Sequence, residues 1–400
     1  MEAPPPGNST SSELTTLPAH LRPHYSAFLE PGRVLLTGHS HQAWPDVARA
    51  AMIEAFDDAA AHADDKWSRA MDKADRVRRG VAERIGAVPE EIALAASTHE
   101  LVARFLSALD LRARPHLVTT SGEFHSAHRQ LSRLREEGVD VTFVDAHPVR
   151  TLAERLAAAI TPKTAAVLAS TVLFETSSVV PNLRAVAERA HAAGAHVLFD
   201  AYHAFGVVPF RMEDFGGGPV FLVAGGYKYA QWGEGVCFLR APSGTGLRPV
   251  YTGWFSDFAG LAAPRPTDPQ RAAPVQYGPR PADVFAGSTY DPVSHYRAAA
   301  VLDFFEREGL TVARLRDLSL AQTSLLLRGL DAFDVATPRE PAQRGGFVSV
   351  RMPAAQRAVA ALKGKGVVTD ARGDLLRLGP APYVTETELA IAIEALRLLA

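Results

Sequence analysis

The sequence predicts an α/β protein built on a mostly parallel, doubly wound sheet, and three observations carry that expectation. Short apolar runs alternate with segments of helical periodicity from about residue 89 to residue 240, the order that lays helices on both faces of a sheet. The runs HVLFD, PVFLVAGG and VCFLR are rich in Val, Leu and Phe and nearly free of charge, as strands covered on both faces read. Four hundred residues exceed the usual size of one core, so a large domain and a smaller one are expected.

Taken in order, residues 1–16 (MEAPPPGNSTSSELTT) read as a disordered tail, with neither the basic start nor the apolar stretch of a secretory signal. Residues 17–45 form an irregular N-terminal segment in which Pro18, Pro23, Pro31 and Pro45 break any helix; it carries Gly38-His39-Ser40-His41 after a short apolar run. Residues 46–290 are expected to form the large domain. Val47, Ala50, Met52, Ile53 and Phe56, then Val77, Val81 and Ile85, give two helical stripes up to Gly86. Strands follow at 89–96, 116–120, 141–145, 165–170 and 196–200, with helices at 97–109, 127–138, 152–160 and 182–193 between them, the last stopped by Gly194. Residues 241–286, rich in Pro, Gly and Arg, read as a long ordered loop. Residues 291–400 read as a small α+β domain that opens on a helix bearing Tyr296, Ala299, Leu302 and Phe305.

Composition narrows the function. With 42 basic against 44 acidic residues and a pI near 6.7, the chain gives no electrostatic reason to bind nucleic acid or an anionic membrane, so a small molecule is the expected partner. Cys237 is the single cysteine, which rules out an intrachain disulfide and suits a reducing cytoplasm. No apolar run reaches the length of a membrane span. The spacings of His39/His41, His125/His128 and the isolated His203 match no standard zinc pattern, so no metal is expected.

The charges that do interrupt the apolar runs need a reason. Asp200 closes one strand, Lys228 follows the next after Gly225 and Gly226, and burying either is expensive without a partner. One ligand that could serve both is pyridoxal 5'-phosphate, whose ring nitrogen takes a carboxylate, whose aldehyde takes a lysine amine and whose phosphate takes backbone amides; taken singly, Asp200 and Lys228 also read as ordinary strand-end residues. Ser97, Phe124, Ser170 and Asp200 all fall at strand carboxyl ends, where a doubly wound sheet binds ligands. Ser97 and Thr98 open a helix, a place for a phosphate or simply a good N-cap.

Asp200-Ala201-Tyr202-His203 followed by Gly226-Tyr227-Lys228-Tyr229 resembles the cofactor signature of the fold-type-I, class V aminotransferase-like PLP enzymes, and most closely their kynureninase branch. The resemblance runs from about Gly38 to Tyr383 and implies the PLP-dependent transferase fold of type I. It implies that Lys228 carries the cofactor and then shuttles a proton, that Asp200 holds the ring nitrogen, and that His203 tunes Asp200 or the ring hydroxyl. Tyr227 becomes an acid on the β-side, Ser97 and Thr98 phosphate ligands, and Phe124 the aromatic plate against the ring. Tyr251–Ser256 resembles the family's Gly-Trp-Trp segment and Gly287–Tyr290 lies near a second contact, which makes Trp254 and Thr289 phosphate ligands of the partner subunit in a homodimer with shared active sites. Arg377, in a segment resembling Arg-x-x-x-x-Pro-Leu-Tyr, is implied to fork onto the substrate α-carboxylate. GHSHQAWP resembles the family's Gly-Asn-Ser-Leu-Gly segment only in Gly38 and Ser40, which marks Ser40 as a residue lining the substrate. Ala127 stands where the family has an aspartate. The reaction implied is hydrolytic cleavage at the β-carbon of an α-amino acid, kynurenine or a relative. A related lyase, aminotransferase or epimerase is the alternative, and a regulator without catalysis is disfavoured by the retention of Lys228 with Asp200.

Overall fold

The computed structural model describes residues 11–262 and 274–399. Helix α1 (Ser11–Leu21) and strand β1 (Val34–Leu35) precede two long helices, α2 (Val47–His62) and α3 (Lys66–Ile85). Strand β2 (Ile92–Ala95) leads to α4 (Thr98–Ser107), then β3 (His116–Thr120), α5 (His125–Glu136), β4 (Asp140–Val144), α6 (Leu152–Ala159), β5 (Thr164–Ser170), α7 (Leu183–Ala192), β6 (His196–Asp200), β7 (Val220–Gly225) and β8 (Cys237–Arg240). After a loop region come α8 (Pro281–Val284), α9 (Val293–Arg307), α10 (Val312–Gly329), β9 (Val348–Arg351), α11 (Ala355–Gly364), β10 (Val367–Val368), β11 (Asp370–Arg372), β12 (Leu375–Leu378) and α12 (Glu386–Arg397).

Seven strands form the main sheet in the order β2-β8-β7-β6-β5-β3-β4. The five from β7 to β4 run parallel, and β8 and β2 add antiparallel pairings at one edge. Period-2 alternation explains why the apolar runs look continuous: Val197 and Phe199 enter one core cluster and Leu198 the other, and Val220 and Leu222 are likewise split from Phe221 and Val223. Leu101 and Phe105 of α4 and Leu131 of α5 cover one face; Val77 and Val81 of α3, Leu152 and Leu156 of α6 and Val186 of α7 cover the other. Each such fully buried side chain contributes about 1.5–3 kcal/mol. The chain enters the parallel set at β3, turns to β4 on one side and to β5 on the other, so the strand order reverses beside β3, where such folds open a ligand crevice.

Two further pairings matter for the site. Strands β11, β12 and β9 make a small antiparallel sheet, and β1 pairs in parallel with β10, which ties the N-terminal segment to the C-terminal region. α9, the first helix of the region expected to be the small domain, packs against α2 and α3. The expected break at Pro18 does not occur: α1 runs through it, and Leu17 and Leu21 on its buried side anchor a helix that has lost one hydrogen bond. The expected disorder up to Thr16 is corrected by the same helix from Ser11 on, while residues 1–10 of that tail, and residues 263–273 of the expected loop, lie outside the described residues.

Candidate active site

Two sets of side chains, far apart in sequence, converge beyond the strand ends. The first comes from the main sheet. Asp200 ends β6, and its Oδ1 accepts the Tyr202 amide at 2.8 Å. Lys228 follows β7 and is 4% exposed; its Nζ lies 2.7 Å from His203 Nε2, 4.4 Å from the centre of the Tyr202 ring and 5.6 Å from that of Phe124. Burial pulls the Lys228 amine down to about 7, against the Asp200 charge and with help from the Arg377 charge. Burial also pushes the Asp200 carboxyl up, opposed by the Tyr202 amide and Lys228. His203 is held well below its ordinary value by burial and by Lys228 and Arg377, and its buried Nδ1 has no partner among the described residues. Tyr227, pushed up to about 12 by burial and the Cys237 thiol, keeps its proton across the neutral range.

Around this centre, Ser97 caps α4 by accepting the Glu100 amide at 3.3 Å, and the Thr98 backbone hydrogen-bonds the Cys237 thiol. Phe124 caps α5 and meets Phe174 edge to face at 5.5 Å. Ser170 closes β5, but its hydroxyl donates to Glu123 Oε2 at 2.6 Å and its amide to Glu123 Oε1 at 3.0 Å; Thr120 donates to the same Oε1 at 2.7 Å. Glu123, buried and raised to about 7 chiefly by burial, thus pins the Phe124 turn to the end of β5.

The second set comes from the ends of the chain. Arg377 is buried on β12 and forks onto Asp370 through Nε at 2.9 Å and through Nη2, while Nη1 donates to the Phe174 carbonyl at 2.7 Å. Asp370 also accepts from His39 Nε2 at 2.8 Å and lies 3.6 Å from Arg372. Desolvation alone would raise the Asp370 carboxyl, but His39 and Arg377 together hold it well below the usual carboxylate range. The Phe347 ring lies 5.6 Å from the His203 ring and 5.7 Å from the Arg377 guanidinium, so the two sets meet at one aromatic side chain.

Other expected residues make contacts of their own. Trp254 Nε1 donates to Thr289 Oγ1 at 3.2 Å, and Trp254, 37% exposed, stacks on Phe255 and Phe258. Those two therefore pair with each other at the surface, and no contact among the described residues joins them to Lys228. Ser40 donates to the Thr37 carbonyl at 3.3 Å, and Ala127 lies in the first turn of α5. His203 meets the Lys228 amine; no hydrogen bond to Asp200 forms among the described residues. Among the described residues His20, His24 and Glu308 bring ligand atoms within 4.8 Å of one another, with His20 and Glu308 already paired at 3.0 Å.

Sequence reasoning missed Glu123, His39 and Asp370. A signal for Asp370 existed: Gly373-Asp374 is a two-residue hairpin loop, and counting back from it sets Asp370 opposite Arg377. Glu123 precedes the Phe124 turn with nothing local to show its burial, and His39 needs the N- and C-terminal segments brought together.

The donor set fits pyridoxal phosphate. It holds an amine shifted towards its free form, a carboxyl group that accepts one backbone amide, and beside the amine an imidazole whose other nitrogen has no partner among the described residues. Comparisons with known proteins agree. The Kynureninase C-terminal domain family matches residues 315–396, and the DegT/DnrJ/EryC1/StrS aminotransferase family residues 51–211. A kynureninase of Xanthomonas campestris is 30% identical over 332 residues, 76% of this chain and 75% of its own length. An uncharacterized aminotransferase, YcbU, of Bacillus subtilis is 25% identical over 86% of this chain and 88% of its own. In fold, a mutant of the cystine C-S lyase C-DES, with glycine covalently linked to its PLP cofactor, superimposes with a TM-score of 0.80 at 18% identity over 94% of this chain and 98% of its own. A cysteine desulfurase of Thermococcus onnurineus gives 0.78 at 19% identity over 96% and 98%. Fold and site together define a PLP-dependent enzyme of fold type I, of the class V aminotransferase-like group. Within that group the chain belongs to the kynureninase family.

Proposed function

We propose that the chain catalyses hydrolytic cleavage at the β-carbon of an α-amino acid, with L-kynurenine or a close relative as substrate and anthranilate (or the matching carboxylic acid) and L-alanine as products. The observation that supports this reading is geometric: the buried Lys228 Nζ meets His203 Nε2 at 2.7 Å, and the Phe347 ring lies 5.6 Å from the His203 ring and 5.7 Å from the Arg377 guanidinium, so a carboxylate-binding cation sits near the buried amine. Bound pyridoxal phosphate supplies an aldehyde for amines and a ring that withdraws electrons from the α- and β-carbons. Lys228 Nζ holds the cofactor, and once freed carries the α-proton, with His203 Nε2 at 2.7 Å to share it. Asp200 holds the ring nitrogen, Phe124 lies against the ring face, and Ser97, Thr98 and Ser170 line the phosphate and sheet side. Arg377 takes the substrate α-carboxylate and Ser40 lines the same pocket. The Tyr227 hydroxyl, protonated across the neutral range, donates on the β-side. In a homodimer, Trp254 and Thr289 reach the partner's phosphate as a hydrogen-bonded pair.

A second reading, a lyase, aminotransferase or epimerase for another amino acid, rests on Ala127, which cannot supply the family's carboxylate. A desulfurase reading is not favoured, because Cys237 is buried in β8 and pushed up to about 12. Adding L-kynurenine to the holoenzyme should release anthranilate and alanine in equal amounts, read by fluorescence and amino-acid analysis. Turnover of other amino acids with no anthranilate from kynurenine would replace this reading with the second.

A further inference from the structure

Arg377 is the cation proposed to take the substrate carboxylate, yet it already has a carboxylate on it. A guanidinium has five N–H donors. Three are engaged here, by Asp370 at Nε and Nη2 and by the Phe174 carbonyl at Nη1, which leaves one N–H on each Nη nitrogen. Asp370 therefore occupies the side-on fork and orients the group without consuming it. Something must fix Asp370 in turn, because a lone carboxylate between Arg377 and Arg372 could swing to either.

His39 does so. Its Nε2 lies 2.8 Å from Asp370 Oδ1, and its ring stacks on Phe347 with centroids 4.5 Å apart and planes 27° from parallel. His39 is completely buried, and burial with the Arg377 charge pulls it down to about 4, so its neutral ring donates one N–H to the carboxylate. The same Phe347 ring lies 5.6 Å from the His203 ring and 5.7 Å from the Arg377 guanidinium, so one buried aromatic seats all three groups. Backbone pairing delivers His39 to this place: Gly38 donates to the Gly379 carbonyl at 2.8 Å and Gly379 to Leu36 at 2.7 Å, just past the end of β12. A Cβ on Gly379 would lie 2.8 Å from the His39 backbone nitrogen and overlap Nδ1, so only glycine lets the imidazole approach.

We propose that His39 and Asp370 are positioning residues that fix the Arg377 guanidinium for carboxylate recognition. His39 stands in the GHSHQAWP stretch, which shares only Gly38 and Ser40 with the family segment it resembles. This inference rests on the reading of Arg377 given above, so its test separates the two. Holoenzyme is titrated with L-alanine and with L-alaninamide, which differ only at the carboxylate, and dissociation constants are read from the visible absorbance of the bound cofactor. Wild type should prefer the acid. His39→Ala and Asp370→Asn should each shrink that preference by about tenfold, the worth of a charged hydrogen bond. His39→Gln, whose amide reaches the Nε2 position, should restore most of it, which a loss of packing alone would not allow. If Asp370→Asn fails to fold, the His39→Ala and His39→Gln pair decides. Loss of preference in Arg377→Gln with preference intact in His39→Ala and Asp370→Asn would overturn the inference and leave the reading of Arg377 standing. An unchanged preference in Arg377→Gln, or none in wild type, would overturn that reading and this inference with it.

Discussion

The two halves of the site solve opposite problems. The half built on the main sheet leaves its charges unmatched: Lys228 faces a histidine, Asp200 a single amide, and burial drives both towards neutrality. The half built from the chain ends is largely paired within itself: Arg377 and His39 both donate to Asp370, which stays firmly ionised, although His39 Nδ1 has no partner among the described residues. Unmatched buried groups cost stability and are tolerated where a ligand completes them. Matched groups hold their shape before any ligand arrives, as an orienting device needs. On the function proposed above, the sheet half is the part that a cofactor finishes, and the terminal half is a preformed grip.

That contrast is broken most directly at Lys228. Lys228→Ala should lower turnover by at least about 10³-fold, since it removes the amine proposed both to attach the cofactor and to carry the proton. Asp200→Asn should follow with a loss of about 10²-fold or more, because a neutral amide no longer holds a ring-nitrogen proton. Borohydride reduction followed by mass spectrometry should find cofactor on residue 228 in wild type and in Asp200→Asn, and none in Lys228→Ala. Cofactor on another lysine in wild type would move the centre of the site.

The grip is probed at its seat. Gly379→Ala adds a methyl group against the His39 backbone and imidazole and should displace His39 from Asp370. Overpacking of this kind costs about 1–3 kcal/mol. Substrate KM should rise more than kcat falls, while cofactor absorbance stays unchanged, because the sheet half is not touched. Equal loss of cofactor in this variant would show that the halves are one cooperative unit.

The same contrast explains what could be read from sequence. The parallel sheet, its strand ends and the Asp200/Lys228 pair were legible because each depends on local pattern: strands 116–120 and 196–200 emerge with the expected bounds, since polar residues stop both runs. The grip was half legible. Arg377 stood out through its neighbours, but Asp370 required a hairpin register and His39 a pairing across more than 300 residues. Pro18 misled because a proline rule is local, whereas the helix it sits in is held by Leu17 and Leu21 against the core.

The smallest expected effect is also the one that compares the halves in a single experiment, the pH dependence of apoenzyme stability. Glu123 belongs to the sheet half, and its folded carboxyl titrates near 7 against an ordinary value of 4.5. Between those values the folded chain binds the proton that the unfolded chain releases, so the stabilisation is complete below pH 4.5 and is lost as pH rises through 7. A shift of this size is worth up to about 3 kcal/mol. Asp370 has the opposite sign: its folded carboxyl titrates well below 3.8, so its contribution is complete above that value and is lost only in acid. Wild type and Glu123→Gln, whose amide stands in for the protonated acid, should therefore melt alike near pH 5 and separate as pH rises to 8, wild type falling below the variant by a few degrees. The difference between wild type and Asp370→Asn should stay flat over the same range. A flat Glu123→Gln difference would mean that the Thr120 and Ser170 donors hold that carboxylate ionised, and the sheet half would then be matched as fully as the grip.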